Sequence, residues 1–180
     1  MGPTGLIHIG GALQRWAAWV ETTWLHYFAT NYKWVWATME TLHFLGLGLL
    51  VGTVGVLDLR LLGMAKGLPL AAVQRLVPWG IAGFVLNLLT GLVFLAGAPY
   101  QYLYNFAFQM KVLFMLAAGA NMLVFYGAGT WPRTQTVGAG QPVPWAARIA
   151  GGISLFLWIG VMYWGRMLTF FRPPFVVPPK

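Results

Sequence analysis

The sequence WVWATMETLHFLGLGLLVGTVGVL, residues 34–57, is a long apolar stretch with few polar side chains. A helix needs about 20 consecutive, mostly apolar residues to cross the hydrocarbon core of a bilayer, and this stretch is long enough. Its ionisable side chains are Glu40 and His43. Tryptophans open the stretch and Asp58 follows it, which is typical of a span with aromatic side chains at one interface and charge at the other. Residues 34–57 therefore predict a first membrane span.

The composition of the whole chain points to the same class of protein. Of its 180 residues, 59% are hydrophobic and only 8% are charged. Soluble domains carry about 25% charged residues, so this chain lacks the side chains for a water-soluble surface. Cysteine is absent, which excludes disulfides, thiolate metal sites and cysteine nucleophiles.

Further segments complete the predicted architecture. Apolar stretches at residues 78–98, 106–126 and 145–170 predict three more membrane spans. Residues 12–30 place their large apolar side chains on one helical face and predict an amphipathic helix in the interface. Residues 171–180 are too rich in proline to be helical. The predicted fold is all-α: one integral-membrane four-helix bundle with an N-terminal interfacial helix.

Positive charges predict the orientation. The formal net charge is +8, but the cations are scattered along the chain and form no stripe that would bind nucleic acid. The connections after the first and third spans carry Arg60, Lys66, Arg75, Arg133 and Arg148. Because cytoplasmic loops are enriched in Lys and Arg, this bias predicts an inner-membrane protein with both termini on the periplasmic side.

The candidate chemistry lies on ionisable side chains inside the spans, which are costly there and therefore informative. Glu40 and His43 are three residues apart and share a helical face. His43 is a candidate axial ligand of haem b, hydrogen-bond partner of a quinone, or copper ligand; a structural imidazole bonded to Glu40 or to a neighbouring helix is the alternative. Lys111 and Arg166 are expected at a similar depth, where they would balance anionic groups such as haem propionates. His26 is the best-placed second haem ligand, although it lies on the polar face of the interfacial helix.

Ion pairs are expected among the charged side chains of the spans, because a buried carboxylate without a partner costs several kcal/mol. Asp58 lies eighteen residues beyond Glu40, a whole number of helical turns, so both face the same way. The predicted pairs join Glu40 to Lys111 or Arg166, and Asp58 to Arg60 or Arg148. Such ion pairs either form part of a functional site or only fix how the helices of the bundle align with one another.

A strip of small residues adjoins this face of the first span. Gly48, Gly52 and Gly55 form it. Small residues at this spacing let helices approach closely or leave room for a flat cofactor, and close helix packing is the expected use.

The sequence TLHFLGLGLLVGTVGVLDLRLLG (residues 41–63), together with the Glu-x-x-His pattern that overlaps it, resembles an uncharacterised family of bacterial four-helix inner-membrane proteins. The resemblance extends to NFAFQMKVLFMLAAGAN (105–121) and LWIGVMYWGRM (157–167). More distantly, the chain is similar to the membrane domain of copper-resistance protein D and to b-type cytochrome-like proteins, which implies haem or copper binding. The resemblance places these residues at the family's polar positions: Glu40, His43, Asp58, Arg60, Lys111, Asn121 and Arg166.

The function predicted from these features is that of a redox-associated or accessory subunit in a larger membrane complex, with a haem b or quinone site near His43. The alternatives are a purely structural membrane subunit and a copper-handling protein, for which His43 is the metal ligand. No complete set of catalytic residues is recognisable, so no catalytic activity of its own is expected. The expected partners are the lipid bilayer and other membrane subunits or a second copy of the chain.

Overall fold

The computed structural model describes residues 11–127 and 129–171. At the N-terminal end of this part, two helices replace the single predicted interfacial helix: α1 (Gly11–Glu21) and α2 (Trp24–Asn31). The helix is interrupted between them, and α2 starts anew after Thr23. The Thr23 hydroxyl caps α2 by accepting a hydrogen bond from the backbone N–H of His26. The chain termini and the proline-rich tail beyond Phe171 lie outside the described residues.

Four long helices follow, and all lie close to the predicted spans. They are α3 (Lys33–Leu61), α5 (Val77–Gly97), α7 (Phe106–Gly127) and α9 (Trp145–Met167). The connections hold short helices that the sequence analysis did not predict: α4 (Leu70–Gln74), α6 (Pro99–Leu103) and α8 (Thr130–Gln135). The described part of the chain is helical without strands. By length and composition, α3, α4 with α5, α7 and α9 can each cross a membrane.

The end of α3 extends past the predicted boundary, to Leu61, and is set by a glycine. Gly63 adopts a left-handed φ of 90°. Its N–H bonds to the carbonyl of Arg60, and that of Met64 bonds to the carbonyl of Leu59. This pair of bonds closes the last helical turn in the way that glycine after a helix usually does. Asp58 and Arg60 are therefore helical residues and not loop residues.

The bundle is built from two helix pairs, α3 with α5 and α7 with α9. Contacts between α3 and α9 join the pairs, while α1 and α2 pack against α5 and the short helix α6. Within the described residues, α5 and α7 do not pack along their lengths. The boundary between α5 and α7, which we call the seam, therefore lacks close helix packing in this part of the chain.

The closest helix contact is the crossing of α3 and α5, and it uses different glycines from those predicted. A Cβ atom on Gly83 would lie 2.7 Å from the Gly46 carbonyl oxygen, so the two backbones touch. By contrast, a Cβ atom on Gly48, Gly52 or Gly55 would meet nothing within 4 Å. Among the described residues no helix packs closely on this strip, because α3 turns its Gly46 face to α5; the use of the strip in helix packing stays a prediction.

One end of the bundle, where α3 ends and α9 begins, is tightly packed, and we call it the closed end. Its buried cluster consists of Leu61, Leu70, Phe125, Val137, Val143 and Ala147. Backbone hydrogen bonds join its two loops, from Leu70 N–H to the Val137 carbonyl (3.2 Å) and from Gly140 N–H to the Lys66 carbonyl (2.8 Å). The opposite end, where α3 begins and α9 ends, we call the open end.

Candidate functional site

A cavity of about 570 Å³ lies inside the bundle toward the open end, lined by side chains of α3, α5, α7 and α9. We call it the first cavity. Its volume is in the range of small-molecule and cofactor sites, about 300–1,000 Å³. Predicted site residues from three helices line it: Glu40, His43, Lys111 and Arg166. The structure thus brings together side chains that are 126 positions apart at the extremes, Glu40 and Arg166.

The His43 imidazole is held from two sides. Its Nδ1 lies 2.7 Å from the Thr90 hydroxyl oxygen of α5. The Phe94 ring, also on α5, meets it edge to face with 5.7 Å between the ring centroids. A Cβ atom on Gly91 would lie 3.9 Å from His43 Cε1. Two side chains of α5 therefore fix the direction in which the imidazole points.

The Thr90 hydroxyl oxygen lies 2.7 Å from His43 Nδ1 and 2.8 Å from the Leu86 backbone carbonyl oxygen. Its one proton can be donated to either of them. When the proton goes to the Leu86 carbonyl, the acceptor one turn back that a helical threonine commonly uses, the hydroxyl accepts from Nδ1–H of His43. The lone pair is then on Nε2, the nitrogen that coordinates a metal or accepts a hydrogen bond from a ligand.

Lys111 supplies the positive charge of the cavity. Its side chain runs beside Gly165 of α9, where a Cβ atom would lie 3.8 Å from Nζ. The Lys111 charge lies within electrostatic range of the His43 imidazole. In the part of the chain that the structure describes, no hydrogen bond or ion pair joins Lys111 to a protein group. The ammonium is therefore available to a ligand.

The predicted pairing of Glu40 with Lys111 or Arg166 is not seen. The three side chains line the same cavity, yet no ion pair joins them within residues 11–127 and 129–171. Glu40 and Arg166 are exposed, toward the open end of the bundle. The first cavity thus carries charges of both signs that do not neutralise one another by contact.

His26 does not belong to this cavity. The sequence analysis put it on a polar face, whereas the structure has it half-buried, with Nδ1 2.8 Å from the Ala96 carbonyl oxygen. A carbonyl only accepts, so Nδ1 carries the hydrogen in this bond. His26 fastens α2 to the last turn of α5, and it is not among the residues that line the cavity with His43.

The charged residues of the closed end have different partners from the predicted ones. Arg60 is fully buried; its Nε donates to the Leu68 carbonyl at 2.6 Å and its Nη2 to the Gly138 carbonyl at 3.0 Å. The Asp58 carboxylate lies beside the Ser154 hydroxyl. Asp58 Oδ2, Arg60 Nη1 and Arg148 Nε are buried without a hydrogen-bond partner among the described residues. Arg60 therefore ties two loops together instead of neutralising Asp58.

Two polar residues of α5, Asn87 and Thr90, stand out in the sequence as polar positions inside a span, but the sequence assigned them no role. Thr90 orients His43, and the Asn87 side chain lines the first cavity while its Nδ2 bonds to the Gly83 carbonyl at 3.0 Å. A signal existed, since both polar residues lie inside a predicted span three positions apart, on one face. Their partner on α3 was not deducible without the packing of the two helices.

A metal site made of His, Asp and Glu alone has no counterpart here. Among residues 11–127 and 129–171, no three such side chains come close enough to hold a metal ion. Of the thioethers, Met115 and Met162 line the first cavity with His43. His43 as a metal ligand stays a prediction, and it would require such softer or external ligands.

Comparison with known proteins gives a family. The family of unknown function DUF6644 matches residues 16–171, which cover all four long helices. Neither a curated protein nor a solved structure matches the chain. Because the match extends over most of its length, the chain belongs to the family of unknown function DUF6644.

Proposed function

We propose that this chain is an inner-membrane accessory subunit of a redox assembly and that its first cavity binds a quinone in its reduced, quinol form. The observation that carries the proposal is that His43 and Lys111 line one cavity: an imidazole whose Nδ1 bonds to Thr90 and whose Nε2 is left for a ligand, and an ammonium with no ion pair among the described residues. A quinol carries hydroxyl groups at opposite sides of a flat ring, so one can donate to His43 Nε2 and the other can accept from Lys111 Nζ.

Membrane insertion is part of this proposal. Four helices have the length and apolar composition of membrane spans, and large apolar side chains such as Phe44, Leu89 and Leu123 are exposed on the outside of the bundle. Such a surface suits lipid, because a protein in water rarely exposes large contiguous apolar areas. The seam between α5 and α7 offers a lipid-soluble ligand a lateral path to the first cavity.

The roles of the residues follow from their chemistry. His43 Nε2 accepts a hydrogen bond from a ligand hydroxyl, as in a reduced quinone. Lys111 Nζ donates to a ligand oxygen, and Thr90 keeps the imidazole in the required tautomer. Aromatic side chains, among them Trp36, Phe94 and Trp158, also line the cavity and suit contact with a flat ring.

Haem b is the second candidate for the same cavity. His43 Nε2 would supply a nitrogen ligand to the iron, and the Met115 and Met162 thioethers that line the cavity are of the type that completes a His/Met pair. Lys111 and Arg166 would hold the propionates. When bound, a haem would supply one-electron redox chemistry. The haem would use the same His43 and Lys111 side chains as the quinol, so the two candidates are distinguished by what copurifies with the protein.

We infer an accessory role because the side chains of the first cavity can bind and orient a ligand. A partner subunit would exchange electrons with the bound quinone. The outward strip of Gly48, Gly52 and Gly55 is the part of α3 best suited to a second helix from such a subunit or from another copy of the chain.

The test measures what copurifies with the protein. The protein is purified in a mild detergent with native lipid, its absorption spectrum is recorded, and an organic extract is analysed for quinones by mass spectrometry. We expect about stoichiometric quinone in the wild type and a strong loss in His43→Ala and Lys111→Met. His26→Ala and Lys33→Met are matched controls, because neither position lines the cavity, and both should keep the quinone.

Each other outcome identifies an alternative. A haem absorption band that disappears in His43→Ala would favour haem b, and its loss in His26→Ala would restore His26 as a ligand. Copper that copurifies with the wild type and not with His43→Ala would favour copper handling. A folded protein without quinone, haem or copper, which also takes up no added quinone, would contradict the proposal and favour a purely structural subunit.

A further inference from the structure

A second cavity of about 390 Å³ lies inside the bundle toward the closed end, again lined by α3, α5, α7 and α9. The side chains that border both cavities come one from each long helix: Leu50, Phe84, Met115 and Trp158. The rings of Phe84 and Trp158 meet edge to face at 6.4 Å between centroids. This apolar layer separates the second cavity from the proposed quinone site.

Three polar side chains line the second cavity near one turn of α9. The Ser154 hydroxyl lies beside the Asp58 carboxylate of α3, to which it is able to donate. Asn121 of α7 donates from its Nδ2 to the Ala150 backbone carbonyl at 3.0 Å, and Ala150 is one turn before Ser154. Because its Nδ2 is engaged there, Asn121 has its Oδ1 left to accept. Asp58, Asn121 and Ser154 all line the cavity.

The Asp58 carboxylate has no countercharge in contact with it. Asp58 is 3% exposed, and its Oδ2 has no hydrogen-bond partner among the described residues. Arg60 lies two residues further along α3, a spacing at which side chains do not face each other, and it donates to loop carbonyls instead.

The other elements around Asp58 do not neutralise it either. Arg148 of α9 extends toward the end of α3, where its Nη2 lies 3.8 Å from the position of a Cβ on Gly63. From α7, the titratable side chain that lines the cavity is Tyr126, and α5 contributes none. A buried carboxylate without a partner lowers the stability of the fold by several kcal/mol. A bound cation at Asp58 would remove this cost.

We propose that the second cavity is a site for an exchangeable monovalent cation, a proton or a sodium ion, held on Asp58. Oδ2 takes the cation, while Asn121 and Ser154, which line the same cavity, offer further oxygens. Oxygen atoms are the ligands that hard cations prefer, and protonation removes the cost of a buried charge. The site does not depend on the quinone, since the apolar layer lies between the two cavities.

The test uses an apolar carbodiimide, which reacts with a carboxyl group in its protonated form. Purified protein is treated over a pH series in sodium or choline chloride, and the modified residue is located by mass spectrometry. The described part of the chain offers two internal controls, Glu21 on α1 and Glu40 in the first cavity. We expect modification at Asp58 that falls as the pH rises; protection by sodium and not by choline identifies sodium, and equal modification in both salts identifies a proton.

Infrared spectroscopy of the wild-type protein provides a second measurement that does not rely on reagent access. A carbonyl band of a protonated carboxylic acid should appear in difference spectra between low and high pH, or between sodium and choline, and should be missing in Asp58→Asn. If that variant does not fold, Ser154→Ala should shift the pH midpoint of the same band.

An Asp58 that is unmodified at every pH and gives no carboxylic-acid or sodium-dependent infrared signal would overturn the proposal. The quinone content of the variants distinguishes a failure of this proposal from a failure of the proposed function. Asp58→Asn should keep its quinone, and His43→Ala should keep the Asp58 signal.

Discussion

At the residue scale, the fully buried Arg60 is the clearest example of a side chain whose type was informative and whose partner was not. An arginine near the end of a span predicts either an ion pair or a cytoplasmic loop charge. The structure uses its fork of donors for two carbonyls in two different loops, Leu68 and Gly138. These loops are 70 residues apart in sequence, so no local pattern could have indicated the contact.

Removal of the Arg60 guanidinium should destabilise the closed end of the bundle. Arg60→Ala removes two hydrogen bonds from a charged donor, and we expect it to lower the free energy of unfolding by about 3 kcal/mol. Arg60→Lys keeps the charge but not the fork, and should recover only part of this loss. Thermal unfolding in detergent measures both, with Arg75→Ala as the control at an exposed position. Equal stability of Arg60→Ala and wild type would show that the loops are held by the apolar cluster alone.

The residues that line the first cavity follow the same rule at this scale. Glu40, His43, Lys111 and Arg166 could be singled out from the sequence because ionisable side chains within apolar spans are rare, and the structure places all four in the lining of one cavity. Thr90 and Ser154 were not assigned, since a single hydroxyl in a span usually bonds to its own helix. Thr90 does so as well, and its second bond, to His43, depends on how α3 lies against α5.

At the scale of elements, helix positions were predictable and helix contacts were not. Hydropathy and flanking tryptophans and prolines placed all four long helices within a few residues of the observed bounds. The face of α3 that packs on α5 was not singled out because Gly46 and the strip beginning at Gly48 are equally small. Only the partner helix, with Gly83 opposite Gly46, distinguishes them.

A pair of glycine substitutions tests the crossing of α3 and α5. In Gly83→Ala the new methyl group would meet backbone atoms of Gly46 and Leu50, each at 2.7 Å, and overpacking of this kind costs about 1–3 kcal/mol or more. Gly52→Ala meets open space and should be neutral or gain up to about 1 kcal/mol from helix propensity. Unfolding midpoints in detergent give the comparison. Similar losses in both variants would contradict the crossing; a change in oligomeric state confined to Gly52→Ala would mark the strip as a subunit interface.

At the scale of the whole molecule, the two ends of the bundle differ in packing and in charge. The closed end holds the joined loops and the cations that predicted a cytoplasmic side, whereas the first cavity lies toward the open end. The long apolar stretches of the sequence were sufficient to predict an all-α architecture with four helices that are long and apolar enough to cross a membrane. The division into two helix pairs with a seam between α5 and α7 was not foreseen, because it depends on which helices touch and not on which residues form helices.

The proposed orientation can be read from single cysteines, since the chain has none of its own. Asn31→Cys lies toward the open end and Gln141→Cys in a loop of the closed end, and both positions are exposed. In intact spheroplasts, a membrane-impermeant maleimide should label Asn31→Cys and should label Gln141→Cys only after permeabilisation, as the positive charges of the closed end predict. Labelling in the opposite order would invert the topology and place the first cavity toward the cytoplasm.

The most direct test of the central claim, a quinone held by His43 and Lys111, is a titration of quinone-depleted protein with a short-chain quinol under reducing conditions. Trp36 and Trp158 line the first cavity, so binding should quench the protein's fluorescence. We expect saturable quenching in the wild type and a dissociation constant raised about tenfold in His43→Ala, which corresponds to about 1.4 kcal/mol for the lost hydrogen bond. Thr90→Val should weaken binding through the imidazole, and Thr41→Val, at an exposed position of the same helix as His43, should not. Non-saturable quenching of equal strength in all these proteins would contradict the claim.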